Sequence, residues 1–264
     1  MTQRSRTRSR RRSPAAVASP WLLAALTVGL EITYPLVDGR WLDRVTIATV
    51  VAFAAACVAH AVVHRGLWWA ARLVVVTAGG GLAAEAIGVR TGLPFGDYSY
   101  ADSLGPKLLD VPVVVPLAWT MMAYPVLLAA RRLTQRHPRA LVPVGAFGLM
   151  AWDVFLDPQM VGDGHWTWAE PTPALPGVPG IPLTNFGGWL VAGVLMMLVL
   201  AVVLPRGSQR GDESVPAALL IWTWVGYVVG NVFWFGSTSV AVVGGVVLGA
   251  LVVPYAWALW QSRP

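Results

Sequence analysis

The sequence predicts an all-α polytopic membrane protein of about eight transmembrane helices, with both termini on the cytoplasmic side. Three observations carry that reading. Of the 264 residues, 56% are hydrophobic and only 12% are charged. The mean hydropathy of +0.61 lies well above that of ordinary soluble domains. The apolar residues also fall in runs near the ~20 residues that a ~30 Å hydrocarbon core requires. Those runs are continuously apolar and lack the alternation of outer-membrane strands, so helices follow rather than a barrel.

Residues 1–13 hold six arginines among Ser, Thr and Gln, and read as a disordered basic cytoplasmic tail over 1–16, ahead of a single transmembrane domain at 17–264. The first apolar run continues without a convincing small-residue cleavage site, so it reads as an uncleaved anchor. Eight spans are expected at about 18–37, 44–64, 67–88, 111–130, 140–157, 186–204, 216–235 and 238–260. With the N-terminus inside, 15 of the 19 basic residues fall on the cytoplasmic side. The positive-inside rule therefore supports this orientation.

The same charge balance could suggest a nucleic-acid partner. That reading fails, because the basic residues are scattered at the ends of apolar runs. The acids show the reverse distribution, with only Asp212 and Glu213 of 13 falling inside. Two long segments, 89–110 and 158–185, are expected outside; both are rich in Gly, Pro and aromatic residues. Such segments read as binding elements or lids against the membrane surface. Cys57 is the single cysteine, so no intramolecular disulfide forms.

The chain is organised around Leu141 to Trp168. An apolar span there carries Asp153, reaches Asp157 one turn later, and is expected to stop at Pro158. The two carboxylates share one helix face, and acids inside a membrane span are functional candidates by default. Burial favours the neutral form of a carboxyl group, and a second carboxylate nearby favours it further, which makes an acid/base pair. The plainer reading has Asp157 capping the interface beside Pro158 and Asp153 bonding a neighbouring helix. Glu31 and Glu85 are expected at similar depth, near the outer ends of the first and third spans, and join Asp153 in one pocket. Alternatively, each reaches the headgroups.

His165 lies beside Trp166, Trp168 and Asp163, as a proton carrier or as an ordinary loop residue. His60 and His64 stand four apart, a metal-binding spacing. They lie at the cytoplasmic end of the second span, far from the acids, where snorkelling is the simpler reading; no metal site is expected. Asn185 and Asn231 read first as helix-packing residues, and second as groups that position substrate or water.

Several classes are excluded. Lys107, the only lysine, lies in a loop, so no retinal Schiff base can form in the bundle. Four histidines cannot supply the boxes of a di-iron desaturase. No nucleotide-binding motif is present.

Four stretches carry a resemblance: EAIGVRTGLPFGDYSY (85–100), LGPKLLDVPVVVPLAWTMM (104–122), AWDVFLDPQMVGDGHWTW (151–168) and GIPLTNFGGW (180–189). Here the chain resembles the membrane-integral carotenoid biosynthesis proteins of the CruF type, which hydrate the ends of acyclic carotenoids. The match covers about a third of the chain. The resemblance implies an acyclic carotenoid substrate, membrane lipid around it, and other carotenoid-pathway enzymes as partners. It also implies an integral protein of a prokaryotic plasma membrane.

Hydrating a terminal alkene means protonating one carbon and capturing the tertiary cation with water, which needs no cofactor. Asp153 is expected as the proton donor. Glu85 or Asp157 then orients the water, with Glu31 and His165 as further catalytic candidates. Trp152, Trp166 and Trp168 can steady the cation, and Phe95, Tyr98, Trp119 and Asn185 complete the expected substrate site. Two rivals stay open: a prenyltransferase holding Mg²⁺ and a diphosphate through Asp153 and Asp157, and a non-enzymatic carotenoid or lipid binder.

Overall fold

In the computed structural model, residues 14–205 and 212–262 are described. Eight helices account for most of them: α1 (Pro14–Thr33), α2 (Gly39–Arg65), α3 (Leu67–Thr91), α4 (Val114–Leu133), α5 (Leu141–Gly162), α6 (Leu183–Val203), α7 (Ser214–Phe233) and α8 (Thr238–Trp260). All eight are long and apolar enough to cross a membrane. The protein is an all-α polytopic membrane protein. The arginine-rich tail, Arg206, Arg210 and Arg263, on which part of the orientation count rests, lie outside the described residues.

α4 is the central post. It packs against α2, α3, α5, α7 and α8, and its stretch Trp119–Ala130 is buried without interruption. α6 is more typical of a helix at the lipid boundary. Val191, Val194, Leu195, Leu198 and Val202 are exposed along one stripe, while Gly193, Met197 and Leu200 face the bundle. With lipid outside and protein inside, both faces are apolar and only side-chain size and shape distinguish them.

One boundary differs from expectation. α5 runs through Pro158 to Gly162 rather than ending at the proline. A proline removes one backbone donor from a helix, and α5 carries on for another turn, which fixes the directions of Asp157 and Met160. The loops are correspondingly shorter, and α1 already begins at Pro14.

At one end of the bundle the long connections fold into three two-stranded ribbons. β1 (Tyr98–Tyr100) pairs with β4 (Trp166–Trp168), β2 (Lys107–Leu108) with β3 (Val111–Pro112), and β5 (Ala174–Leu175) with β6 (Val178–Pro182), all antiparallel. The first ribbon joins the two connections to each other. Backbone bonds from Ala101 N to His165 O and from Ala169 N to Asp97 O extend that join on either side.

At the opposite end, polar side chains tie the helices together. Arg132 Nε lies 2.8 Å from Glu213 Oε2, and Arg131 donates to the Leu204 carbonyl at 2.6 Å. Among the described residues, the connections at that end are short: Gly66 alone joins α2 to α3, and residues 134–140 join α4 to α5.

Candidate active site

Side chains two apart on a strand point the same way. On β1, Tyr98 and Tyr100 therefore face the bundle together, while Ser99 is exposed. On β4, Trp166 and Trp168 do the same, and Thr167 is exposed. The register places Tyr98 opposite Trp168 and Tyr100 opposite Trp166. Their ring centroids are 5.7 and 5.6 Å apart. Such cross-strand aromatic pairs stabilise a short ribbon. Here they also roof a cavity.

The cavity holds about 660 Å³ of space between its atoms, counting the part open to the outside. Its walls come from α2 (Thr46, Val50), α3 (Glu85), α4 (Val114, Val115, Ala118, Trp119, Met121), α5 (Trp152, Leu156, Asp157, Met160) and α6 (Asn185, Trp189), with Phe95 and Leu104 from the loop. Among the lining residues there are two carboxyl groups and no basic side chain.

Glu85 is held by three donors. Tyr98 and Tyr100 donate to Oε2 at 2.5 and 2.8 Å, and the Trp119 indole donates to Oε1 at 3.0 Å. An acceptor surrounded only by donors suits an ionised carboxylate. Trp119 also stacks on Trp189, with centroids 4.3 Å apart and planes 11° from parallel, and Trp152 meets Trp189 edge-on at 5.8 Å. Three indoles thus line the wall beside the carboxylate.

The second carboxyl group is Asp157. Its Oδ1 accepts from the Trp166 indole at 3.1 Å, and its Oδ2 accepts from Asn185 Nδ2 at 2.5 Å. The same amide nitrogen reaches Asp153 Oδ2 at 2.7 Å. Both amide hydrogens are thereby committed, one to each aspartate. Asp153 is fully buried, its Oδ1 has no hydrogen-bond partner, and it is not among the cavity-lining residues. Asp157 stands at the wall and Asp153 behind it.

Phe95 enters between two close-packed helices. A Cβ at Gly88 on α3 would lie 2.8 Å from its ring, and one at Gly188 on α6 would lie 2.7 Å from the ring and 2.7 Å from the Pro94 carbonyl. Only glycine leaves room for the loop at these two points. The Trp168 indole fastens it by donating to the Phe95 carbonyl at 3.0 Å.

Of the expected residues, Glu85, Asp157, Trp152, Trp166, Trp168, Phe95, Tyr98, Trp119 and Asn185 surround this one cavity. Three do not. Asp153 sits in the layer behind. Glu31 bonds Trp222 on α7 instead, because α1 packs on α2 and α7 away from the cavity. His165 is buried outside the cavity lining, with Nδ1 2.7 Å from Ser103 Oγ. It pins the two long connections together; burial lowers its pKa below the ordinary 6.5, against the opposing pull of Asp163 and Asp43. Sequence reasoning missed Tyr100 and Trp189. Both carried a readable signal, since Tyr100 is two residues from Tyr98 on a strand and Trp189 is one turn from Asn185 on a helix.

The family model described as "carotenoid biosynthesis protein" matches residues 45–252. The chain belongs to the carotenoid biosynthesis protein family. The matched span includes every cavity residue and leaves out α1 with Glu31. A relative within reach of comparison is the bisanhydrobacterioruberin hydratase of Haloarcula japonica, 30% identical over 186 residues, 68% of this chain. The chain spans 59% of the length of that relative. No solved structure matches it.

Proposed function

We propose that this family member is a carotenoid hydratase that adds water across the terminal double bond of an acyclic carotenoid. The observation that carries the reading is the cavity itself, with two carboxyl groups, a wall of indoles and no basic side chain. The relative's printed name agrees with it. A carbocation site needs negative charge and π-faces without competing cations. A diphosphate site needs the opposite, which disfavours prenyl transfer.

In this mechanism the Asp153–Asp157 pair carries one proton, as closely placed carboxyl groups do elsewhere. Asp157, at the wall, gives it to the terminal alkene carbon, and the neighbouring carbon becomes a tertiary cation. The Glu85 carboxylate, fixed by Tyr98, Tyr100 and Trp119, balances that charge together with the indole faces. Water adds to the cation and its surplus proton returns to the aspartate pair, so that protons balance over one turnover. Asp153 acts through Asn185 as a positioning residue, and the donor role expected for it passes to Asp157. No cofactor enters these steps.

The test is product mass. Membranes containing the protein are supplied with an acyclic carotenoid; a gain of one water per reacted end supports the reading, and prenyl addition or no change overturns it. Asp157→Asn is expected to lower yield at least ~10²-fold, the lower range for general acid catalysis. A smaller loss there than in Asp153→Asn would return the donor role to Asp153.

The protein is proposed to lie in a prokaryotic plasma membrane, with the long connections outside and both termini in the cytoplasm. Other carotenoid-pathway enzymes are proposed as partners. Reporter fusions at Ser99 and Arg136 should give opposite signals. Equal signals refute this orientation.

A further inference from the structure

At the bundle end away from the cavity, three metal-ligating side chains meet. His60 and His64 lie one turn apart near the end of α2, and Asp212 lies two residues before α7. One ligand atom from each falls within 4.8 Å of the others, and His64 Nε2 is 3.9 Å from Asp212 Oδ2. We propose that His60, His64 and Asp212 form a binding site for a divalent transition metal, with Zn²⁺ the best fit.

The surroundings are organised for such a site. His60 is fully buried rather than snorkelling, and its Nδ1 lies 2.8 Å from the Tyr124 hydroxyl on α4. With Nδ1–H donating to that hydroxyl, the metal-binding lone pair falls on Nε2, the arrangement common among metal-bound histidines. The two imidazoles stack with centroids 4.3 Å apart and planes 22° from parallel, so His64 must turn out of the stack for both ring planes to converge on one ion. Asp212 is oriented as well, because its Oδ1 accepts from Ser214 N at 2.8 Å and leaves Oδ2 for the ion. Among the described residues, the Arg132 and Arg65 guanidinium groups pair with Glu213, at 2.8 and 4.0 Å, rather than with Asp212.

The donor set selects the metal class. Two imidazoles and one carboxylate suit Zn²⁺ and its neighbours, whereas Mg²⁺ and Ca²⁺ take oxygen ligands. Tetrahedral Zn²⁺ with bonds near 2.0–2.1 Å places donors about 3.4 Å apart. A spread of up to 4.8 Å must therefore close by up to about 1.4 Å, and His64 and Asp212, the less buried members, are the ones that would turn. Water completes the coordination shell. The ion would fasten α2 to the entry of α7, far from the carotenoid cavity.

The test uses the full chain without a histidine tag, purified in detergent, stripped by chelator and titrated with Zn²⁺. We expect one Zn²⁺ per chain below micromolar free metal, and a higher melting temperature when it is bound. His64→Ala and Asp212→Asn should each weaken binding at least tenfold and abolish the melting shift, with folding at the cavity end intact. His137→Ala should change neither. Lack of stoichiometric Zn²⁺, binding unaltered in both site variants, or an equal melting shift with Mg²⁺ overturns the proposal. Binding lost equally in His137→Ala marks an adventitious ion and overturns it too.

Discussion

Asn185 Nδ2 stands 2.5 Å from Asp157 Oδ2, and that contact joins α6 to α5 at the cavity wall. The amide also reaches Asp153, so one side chain sets the geometry of both acids. Asn185→Leu keeps a similar size and removes both donors. Hydration should fall at least ~10-fold while the protein still inserts, since leaving buried polar atoms unpaired costs about 1–3 kcal/mol. Product mass at matched protein level is the measurement. Unchanged yield would separate the aspartate pair from the reaction.

Glu85→Gln tests the fixed carboxylate. The new amide nitrogen cannot accept from Tyr98 and Tyr100, so their hydroxyls must turn round to accept from it, and the charge-assisted bonds become weaker neutral ones. A lower melting temperature and a large loss of hydration are expected together. Tyr100→Phe removes one of the three donors to that carboxylate and should cost about 1.5–3 kcal/mol in stability, with partial activity retained.

The glycine clamp around Phe95 gives a paired test. Gly188→Ala places a methyl 2.7 Å from the Phe95 ring and the Pro94 carbonyl, whereas a methyl at Gly187 meets nothing within 4 Å. Gly188→Ala should destabilise by about 1–3 kcal/mol, the usual cost of overpacking. Gly187→Ala should be close to neutral. Equal melting temperatures for the two variants contradict the clamp.

His165 predicts a pH dependence. Its folded-state pKa lies below the unfolded value of about 6.5, because burial disfavours the charged ring. The unfolded chain therefore binds the proton first as pH falls. This contribution is fully present above about pH 6.5 and is lost as pH drops through the folded value. Melting curves from pH 8 to 5.5 should fall more steeply for the wild type than for His165→Gln. Parallel curves would refute it.

Much of this was readable from the sequence, because hydrocarbon is a simple solvent. The eight helices followed from run length, and the acids stood out because charges are rare in such runs. The depth of a residue along its helix was legible, but its direction around the axis was not. In a bundle surrounded by lipid, inner and outer faces are both apolar, so no stripe of hydrophobicity marks the way in. That is why Glu31 and Asp153 looked equivalent to Glu85, yet α1 turns Glu31 toward α7 and one turn of α5 separates Asp157 from Asp153. Pro158 was similarly opaque: a proline either ends a helix or is carried within it, and the surrounding packing decides.

The ribbon between β1 and β4 has a kinetic consequence. Tyr98–Tyr100 and Trp166–Trp168 come from segments more than sixty residues apart, but each supplies the other's backbone partners. Neither segment can fray alone, because release of one strips the other of its bonds. In hydrogen–deuterium exchange the ladder amides of both stretches should share one opening rate, and a substitution that loosens either strand should accelerate exchange in its distant partner to the same degree.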